Sequence, residues 1–261
     1  DFVRMLETHY RRWLRPGDTV LDVGCHAGRH LFPMLECIGS TGRAIAFEPL
    51  PFACAQLAAR AAGTRATVEN LAIGNATGRV TFTHATGAPE ESGLRQRIYN
   101  VPETANPVQI EVQVETLDRY CANLESLAFI KIDIEGAEID LLKGAKATIA
   151  RLRPLISVEY GFQSYSVYGH RRETLFEIAG DYGYVLYDIF LNRLDTLEKW
   201  RIGCDYMVYD FVMVPLERQE AFETRMSQEA RASAAGPSSP HRWTEADALA
   251  LQVERLGAPV E

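Results

Sequence analysis

Apolar and polar positions along the first third of the chain alternate between a helical and a strand period. Phe2, Leu6, Tyr10, Trp13 and Leu14 recur at helical spacing, so residues 2–15 predict an amphipathic helix ended by Arg15, Pro16 and Gly17. Val20 to Val23 reads as a strand, 28–38 as a helix, 43–47 as a strand, 51–62 as a helix and 66–71 as a strand. Such alternation implies right-handed crossovers and a parallel sheet. The pattern breaks between 75 and 115. Arg79 to His84 and Gln109 to Val114 show period two, and 85–107 is rich in Gly, Pro, Glu and Asn, which predicts a hairpin-like insertion with a long mobile loop. Loops over the carboxyl edge of a parallel sheet often serve as lids. The main pattern then resumes with a helix from Thr116, a strand ending at Asp133, a helix over 137–152 and the strand Leu155 to Glu159. A helix over 172–182, the strand Tyr184 to Tyr187 and a last strand from Tyr206 to Val214 complete it.

Beyond Pro215 the composition shifts, which divides the chain into an α/β domain over 1–216 and a helical C-terminal extension over 217–261. Residues 236–240 (GPSSP) read as a linker, and Thr244 with Asp247 resembles a capping box ahead of Leu249, Val253 and Leu256. That last helix has an apolar face which the domain or a second copy of the chain must cover. Packing on the domain is the expectation, with an oligomer through this helix as the alternative.

Chemistry concentrates at two strand-to-helix junctions, because open α/β sheets gather ligands at the carboxyl ends of their strands. In FIKIDIEGAEIDLLKGA (129–145), Asp133, Glu135 and Glu138 cluster where strand turns into helix. In VLDVGCHAGRH (20–30), Asp22 precedes a turn on Gly24 and Gly28, one able to take a positive φ and the other permitting close helix packing. A dinucleotide site has a third glycine where this chain has His26, so the turn suits a smaller adenosine cofactor better than a pyrophosphate. Glu48 ends the next strand, placed to accept from two ribose hydroxyls, and Pro49 suits the following helix start.

Taken together, VLDVGCHAGRH, AIAFEPLP, ENLAIGN and FIKIDIEGAEIDLLKGA resemble the FkbM family of S-adenosylmethionine-dependent methyltransferases over roughly residues 18–190. The resemblance implies a class I, Rossmann-like, seven-stranded, mostly parallel sheet ending in an antiparallel pair, with helices on both faces. It implies S-adenosyl-L-methionine as cofactor, bordered by Leu71 and Ala72 at the adenine. The acceptor it implies is a hydroxyl of a sugar, glycan or polyketide-type metabolite. Cofactor contacts are expected from Asp22, Gly24, His26, Gly28, Glu48, Leu71 and Ala72.

An alcohol nucleophile must lose a proton, so a base or a metal is required. Asp133 and Glu159, ending strands expected to be adjacent, are the candidate pair. His170, in the Tyr-rich loop GFQSYSVYGHRRE, is a further candidate base. A divalent metal between the two carboxylates is the less favoured expectation, since two carboxylates are an incomplete ligand set. His26 and His30 lie four apart, but solvated or capping histidines are commoner than such ligands. Two rival functions remain open at this level. One is a nicotinamide-dependent oxidoreductase, against which His26 argues; the other is a non-catalytic cofactor-binding module on the same fold.

Charge narrows the partners. Net charge is −8 with pI about 5.4, which opposes the electrostatic term of nucleic-acid binding, so no nucleic-acid partner is expected. Five cysteines, odd in number and without C-x-x-C spacing, fit reduced thiols. With no apolar run long enough to span a bilayer and no signal-peptide core, the expected location is cytoplasmic. The chain opens on Asp1 without Met, as a trimmed or excised sequence would.

Overall fold

The computed structural model describes residues 2–204 and 208–233. Among these, the strands are β1 (Thr19–Val23), β2 (Arg43–Phe47), β3 (Ala66–Glu69), β4 (Ala72–Ile73), β5 (Gly78–Ala85), β6 (Pro107–Glu115), β7 (Phe129–Ile132), β8 (Leu155–Glu159), β9 (Tyr184–Asp188), β10 (Arg193–Leu194) and β11 (Asp210–Pro215). The helices are α1 (Phe2–Trp13), α2 (Leu31–Ile38), α3 (Pro51–Ala61), α4 (Pro102–Ala105), α5 (Leu117–Tyr120), α6 (Glu138–Gly144), α7 (Lys146–Leu152), α8 (Phe162–Tyr165), α9 (Thr174–Asp181), α10 (Leu197–Gly203) and α11 (Gln219–Ser233).

The central sheet runs β10-β9-β11-β8-β7-β1-β2-β3. From β3 to β8 neighbouring strands are parallel, and β11 is antiparallel to both β8 and β9. Without the two-residue edge β10, this is the expected seven-stranded, mostly parallel sheet. Every position of β1 and β7 is buried, as in strands covered by helices on both faces. The chain moves outward from β1 to β3, then returns to β7 on the other side of β1. The crevice above the ends of β1 and β7 is therefore the topological switch point, where ligands of such sheets bind.

Several local expectations are redrawn. The helix expected from residue 28 begins at Leu31, because Gly28 takes a left-handed φ of 78° and its N–H turns back to the Cys25 carbonyl at 2.6 Å. The strand expected over 66–71 stops at Glu69, where Asn70 Nδ2 bonds the carbonyls of Glu48 (2.8 Å) and Pro49 (3.0 Å) and bends the chain away. Ala72 and Ile73 then join the insertion, so the expected hairpin of β5 and β6 is one part of a separate three-stranded sheet, β4-β6-β5. The long helix over 137–152 is split at Ala145 (φ −116°, ψ 6°) into α6 and α7. A Cβ on Gly144 would overlap the Gly74 carbonyl oxygen, so α6 ends in backbone contact with the chain just past β4.

At the other end, Phe222 and Met226 of α11 are buried, with Phe222 ringed by Trp13 (6.2 Å) and Tyr187 (5.0 Å). The linker and last helix expected over 236–256 lie outside the described residues. No helix among the described residues is long and apolar enough to cross a membrane.

Candidate active site

The turn after β1 is built by backbone geometry. Gly24 (φ 78°) lies so close to the end of β7 that a Cβ would overlap the Asp133 carbonyl oxygen. The N–H groups of Gly24 and Cys25 both donate to the Phe47 carbonyl, at 3.0 and 3.2 Å, pinning the turn to the end of β2. His26 occupies the left-handed region (φ 40°), uncommon for a residue with a side chain. Its N–H donates to Glu48 Oε2 at 2.8 Å, which holds it there. Gly28 leaves room for α3, since a Cβ would sit 2.5 Å from Leu57 Cδ1. Glu48 is buried, and its Oε1 accepts from the Leu50 N–H at 2.9 Å. Burial pushes its carboxyl up to about 7, against the pull of these two backbone N–H groups. Each oxygen keeps a second lone pair for a ligand hydroxyl.

Beneath this turn lies a row of buried charges. Asp22 of β1 is in register with Lys131 of β7, which is in register with Ser157 of β8. Lys131 Nζ donates to Asp133 Oδ2 at 2.8 Å. Asp22 is pushed up to about 6 by burial, partly offset by Lys131. Neither of its oxygens has a hydrogen-bond partner; the Leu31 N–H favours the charged form without completing a bond. One step toward the carboxyl ends, Asp133, Glu159 and Asp210 converge from β7, β8 and β11, Asp210 being in register with Glu159. Asp133 is held below the usual carboxylate range: burial opposes this, but Lys131 and a hydrogen bond with Glu159 outweigh it. Glu159 is driven far above that range by burial and by the charge of Asp133, so it carries the proton of that hydrogen bond. The cation meeting these carboxylates is Lys131, and among the described residues no group of three or more His, Cys, Asp or Glu side chains could hold a metal ion.

Above the turn opens a cleft whose empty space, its solvent-open mouth included, is about 530 Å³. It is lined by Gly24, His26, Glu48, Leu71 and Ala72, by Phe82, Pro89, Ser92 and Leu94 of the insertion, and by Asp133 and Glu135. Glu135 has a left-handed backbone (φ 59°) and pairs with Arg97 of the insertion, both side chains largely buried. The insertion is also tied to the Tyr-rich loop, where Tyr168 Oη accepts from the Arg95 N–H at 3.0 Å. Glu138 begins α6 and accepts from the N–H groups of Gly136 (3.0 Å) and Ile134 (3.2 Å), a capping arrangement for an acid at a helix start.

Thus Gly24, His26, Glu48, Leu71, Ala72 and Asp133 share the cleft; outside its lining, Asp22 and Gly28 are buried and Glu159 is half-buried. His170 stands apart. Its N–H goes to the Tyr165 carbonyl, and the charges around it are Lys143, Asp140 and Arg95. Lys131, Asp210 and Arg97 are absent from the sequence-level candidates. Lys131 was legible in KIDIEG as a lone cation inside an apolar strand, two positions before Asp133.

Residues 22–186 match the methyltransferase FkbM domain. The chain belongs to the FkbM methyltransferase family. The matched span opens at Asp22 and contains every cleft residue named above; only Asp210 of the carboxylate group lies past it. Among FkbM relatives, 2-O-methyltransferase NoeI of Sinorhizobium fredii (strain NBRC 101917 / NGR234) is 29% identical over 161 residues, 57% of this chain and 65% of that protein. The 31-O-demethyl-FK506 methyltransferase FkbM of Streptomyces tacrolimicus is 32% identical over 173 residues, 55% of this chain and 66% of that protein. The chain thus spans just under two thirds of each relative's length. A solved methyltransferase FkbM from Methylobacillus flagellatus KT has a TM-score of 0.46 at 18% identity, covering 79% of this chain and 50% of that one.

Proposed function

We propose that this FkbM domain transfers a methyl group from S-adenosylmethionine to a hydroxyl of a small-molecule or glycan acceptor. The observation that carries this reading is the cradle at the switch point. Gly24 has no room for a side chain, Glu48 presents unused lone pairs to the cleft, and Asp22 is a buried carboxylate without a hydrogen-bond partner. Such a donor set fits an adenosyl group with a cationic amino-acid tail. Glu48 would accept from the two ribose hydroxyls, Leu71 and Ala72 would border the adenine, and Asp22 would set the negative potential under the Gly24 to Gly28 turn with His26 at its edge. A dinucleotide would need space where His26 stands, which weighs against the nicotinamide reading.

The bound cofactor supplies an electrophilic methyl carbon. Everything else is placement, and orientation of this kind contributes on the order of 7 to 11 kcal/mol to a displacement. Asp133, in the cleft lining, accepts the hydroxyl's hydrogen bond and then its proton; Glu159, protonated, steadies it from the neighbouring strand. His170 has no part in this reading. Both named relatives are O-methylating by their names, and we extend that chemistry here to a sugar, glycan or polyketide-type hydroxyl.

Titration calorimetry with S-adenosylhomocysteine tests the reading. The wild type should bind, and Glu48→Ala should weaken binding by roughly 1.5 to 3 kcal/mol, the scale of hydrogen bonds to a charged group. A wild type that ignores this ligand but binds NAD would establish the oxidoreductase instead. Binding without methyl transfer to any sugar, glycan or polyketide hydroxyl would leave a binding module.

A further inference from the structure

Lys131 is an odd residue for its place. It sits in the middle of β7 with only 6% of its surface exposed, below the cleft rather than in it. An ammonium buried this deeply loses its hydration, and a well-packed apolar side chain there would often serve stability as well or better. Burial works against its charge, yet Asp133, Asp22 and Glu159 outweigh it and keep Lys131 above the ordinary lysine range. The other titratable groups facing this cluster are Tyr10 on α1, Cys25 after β1, His30 ahead of α2, Glu48 after β2, Glu138 at the start of α6 and Asp210 on β11. Of all these, only Asp133 receives a hydrogen bond from Nζ, at 2.8 Å, and it also lines the cleft.

We propose that Lys131 is a positioning residue, holding the Asp133 carboxylate from below in the orientation that meets the acceptor hydroxyl. The proposal rests on the role given to Asp133 above. A carboxylate otherwise turns freely about its last bond, because such terminal torsions are broad. Nζ on Oδ2 and the Glu159 carboxyl from β8 together fix its plane. No proton leaves Lys131. The hydroxyl proton passes to Asp133 as the new C–O bond forms and the C–S bond breaks with its electron pair on sulfur.

Lys131→Met keeps the stem and removes the charge. In protein labelled with 13C at aspartate and saturated with S-adenosylhomocysteine, the Asp133 carboxyl signal, assigned by its loss in Asp133→Asn, should titrate at higher pH in Lys131→Met. The expected gain in proton affinity is about tenfold or more. Ligand affinity should stay within a few-fold. Turnover should fall most at low pH and recover at high pH, whereas a purely structural role would lower it equally at every pH and overturn the proposal. The double variant Lys131→Met/Asp133→Asn should resist urea better than Lys131→Met alone, since it leaves no half-buried carboxylate without its cation. An unmoved Asp133 titration, or additive urea effects, would also overturn it. Failure of the wild type to bind S-adenosylhomocysteine would instead remove the functional reading, while the urea cycle would still measure the Lys131 to Asp133 coupling.

Discussion

Asp133 and Glu159 are two carboxyls in one crevice pushed in opposite directions, one charged and one protonated, which is how a site divides acceptor and donor roles between like groups. Asp133→Asn keeps the shape and removes the charge. It should leave S-adenosylhomocysteine affinity within a few-fold while lowering turnover by about 100-fold or more, the scale of a lost general base. Full activity in this variant would take Asp133 out of the chemistry and return attention to the loop around His170. At this scale the sequence displayed acids at strand ends, because a strand end is a local feature. It did not display the row Asp22, Lys131, Ser157, which exists only once β1, β7 and β8 are in register. Nor could it show that Asp210 would oppose Glu159, since that pairing joins segments about 50 residues apart in an antiparallel ladder.

Among elements, periodicity recovered the main strands and missed the interruptions. The break at Ala145 has one weak local signal in KGAKATIA, Gly144, while the contacts made there come from other parts of the chain: Gly74 packs where a Cβ on Gly144 would sit, and the Asp118 carboxylate accepts from the Ala147 and Thr148 N–H groups that open α7. The insertion was legible as a departure from alternation, whereas its third strand, β4, is two residues long and pairs with a partner about 40 residues on. Its loop is fastened at Arg97 to Glu135, at Arg95 to Tyr168 and at the Ile98 N–H to the Gln163 carbonyl (3.4 Å). If the loop gates the cleft, Arg97→Ala should speed amide exchange over residues 93–98, because the buried Glu135 charge then stands alone. In the wild type, cofactor and acceptor bound together should slow the same amides. Rates that change in neither case would reduce the insertion to an inert wall.

For the whole molecule, buried titratable groups set how stability follows pH. Asp22 and Asp210 are pushed up to about 6 and Glu48 and Glu138 to about 7, each chiefly by burial. Unfolded, these carboxyls ionise near pH 4, so above that the folded state holds the extra protons and stability falls as pH rises through the folded values. His30, lowered to about 4 by burial, and His9, His84 and His170, lowered likewise, act oppositely, their contribution growing with pH and levelling off past about 6.5. The trends compete most below pH 6.5; past it the histidine trend fades and the carboxyls, Glu159 among them, dominate up to pH 8. The ligand-free melting temperature should therefore drop from pH 6.5 to 8, and Glu138→Gln should flatten the drop. A rise over that interval would mean these acids are ionised in the native state. The same helix start bears on selectivity. The seven residues of α6 make a rod roughly 10 Å long, with the Asp133 to Glu138 turn at one tip and Gly74, next to the strand that carries Ala72, abutting the other. A rod between two walls transmits displacement. If acceptor and adenine lie as proposed above, enlarging the acceptor end to admit a bulkier alcohol would drive the far tip against the adenine side, so acceptor range and cofactor grip would have to be altered together.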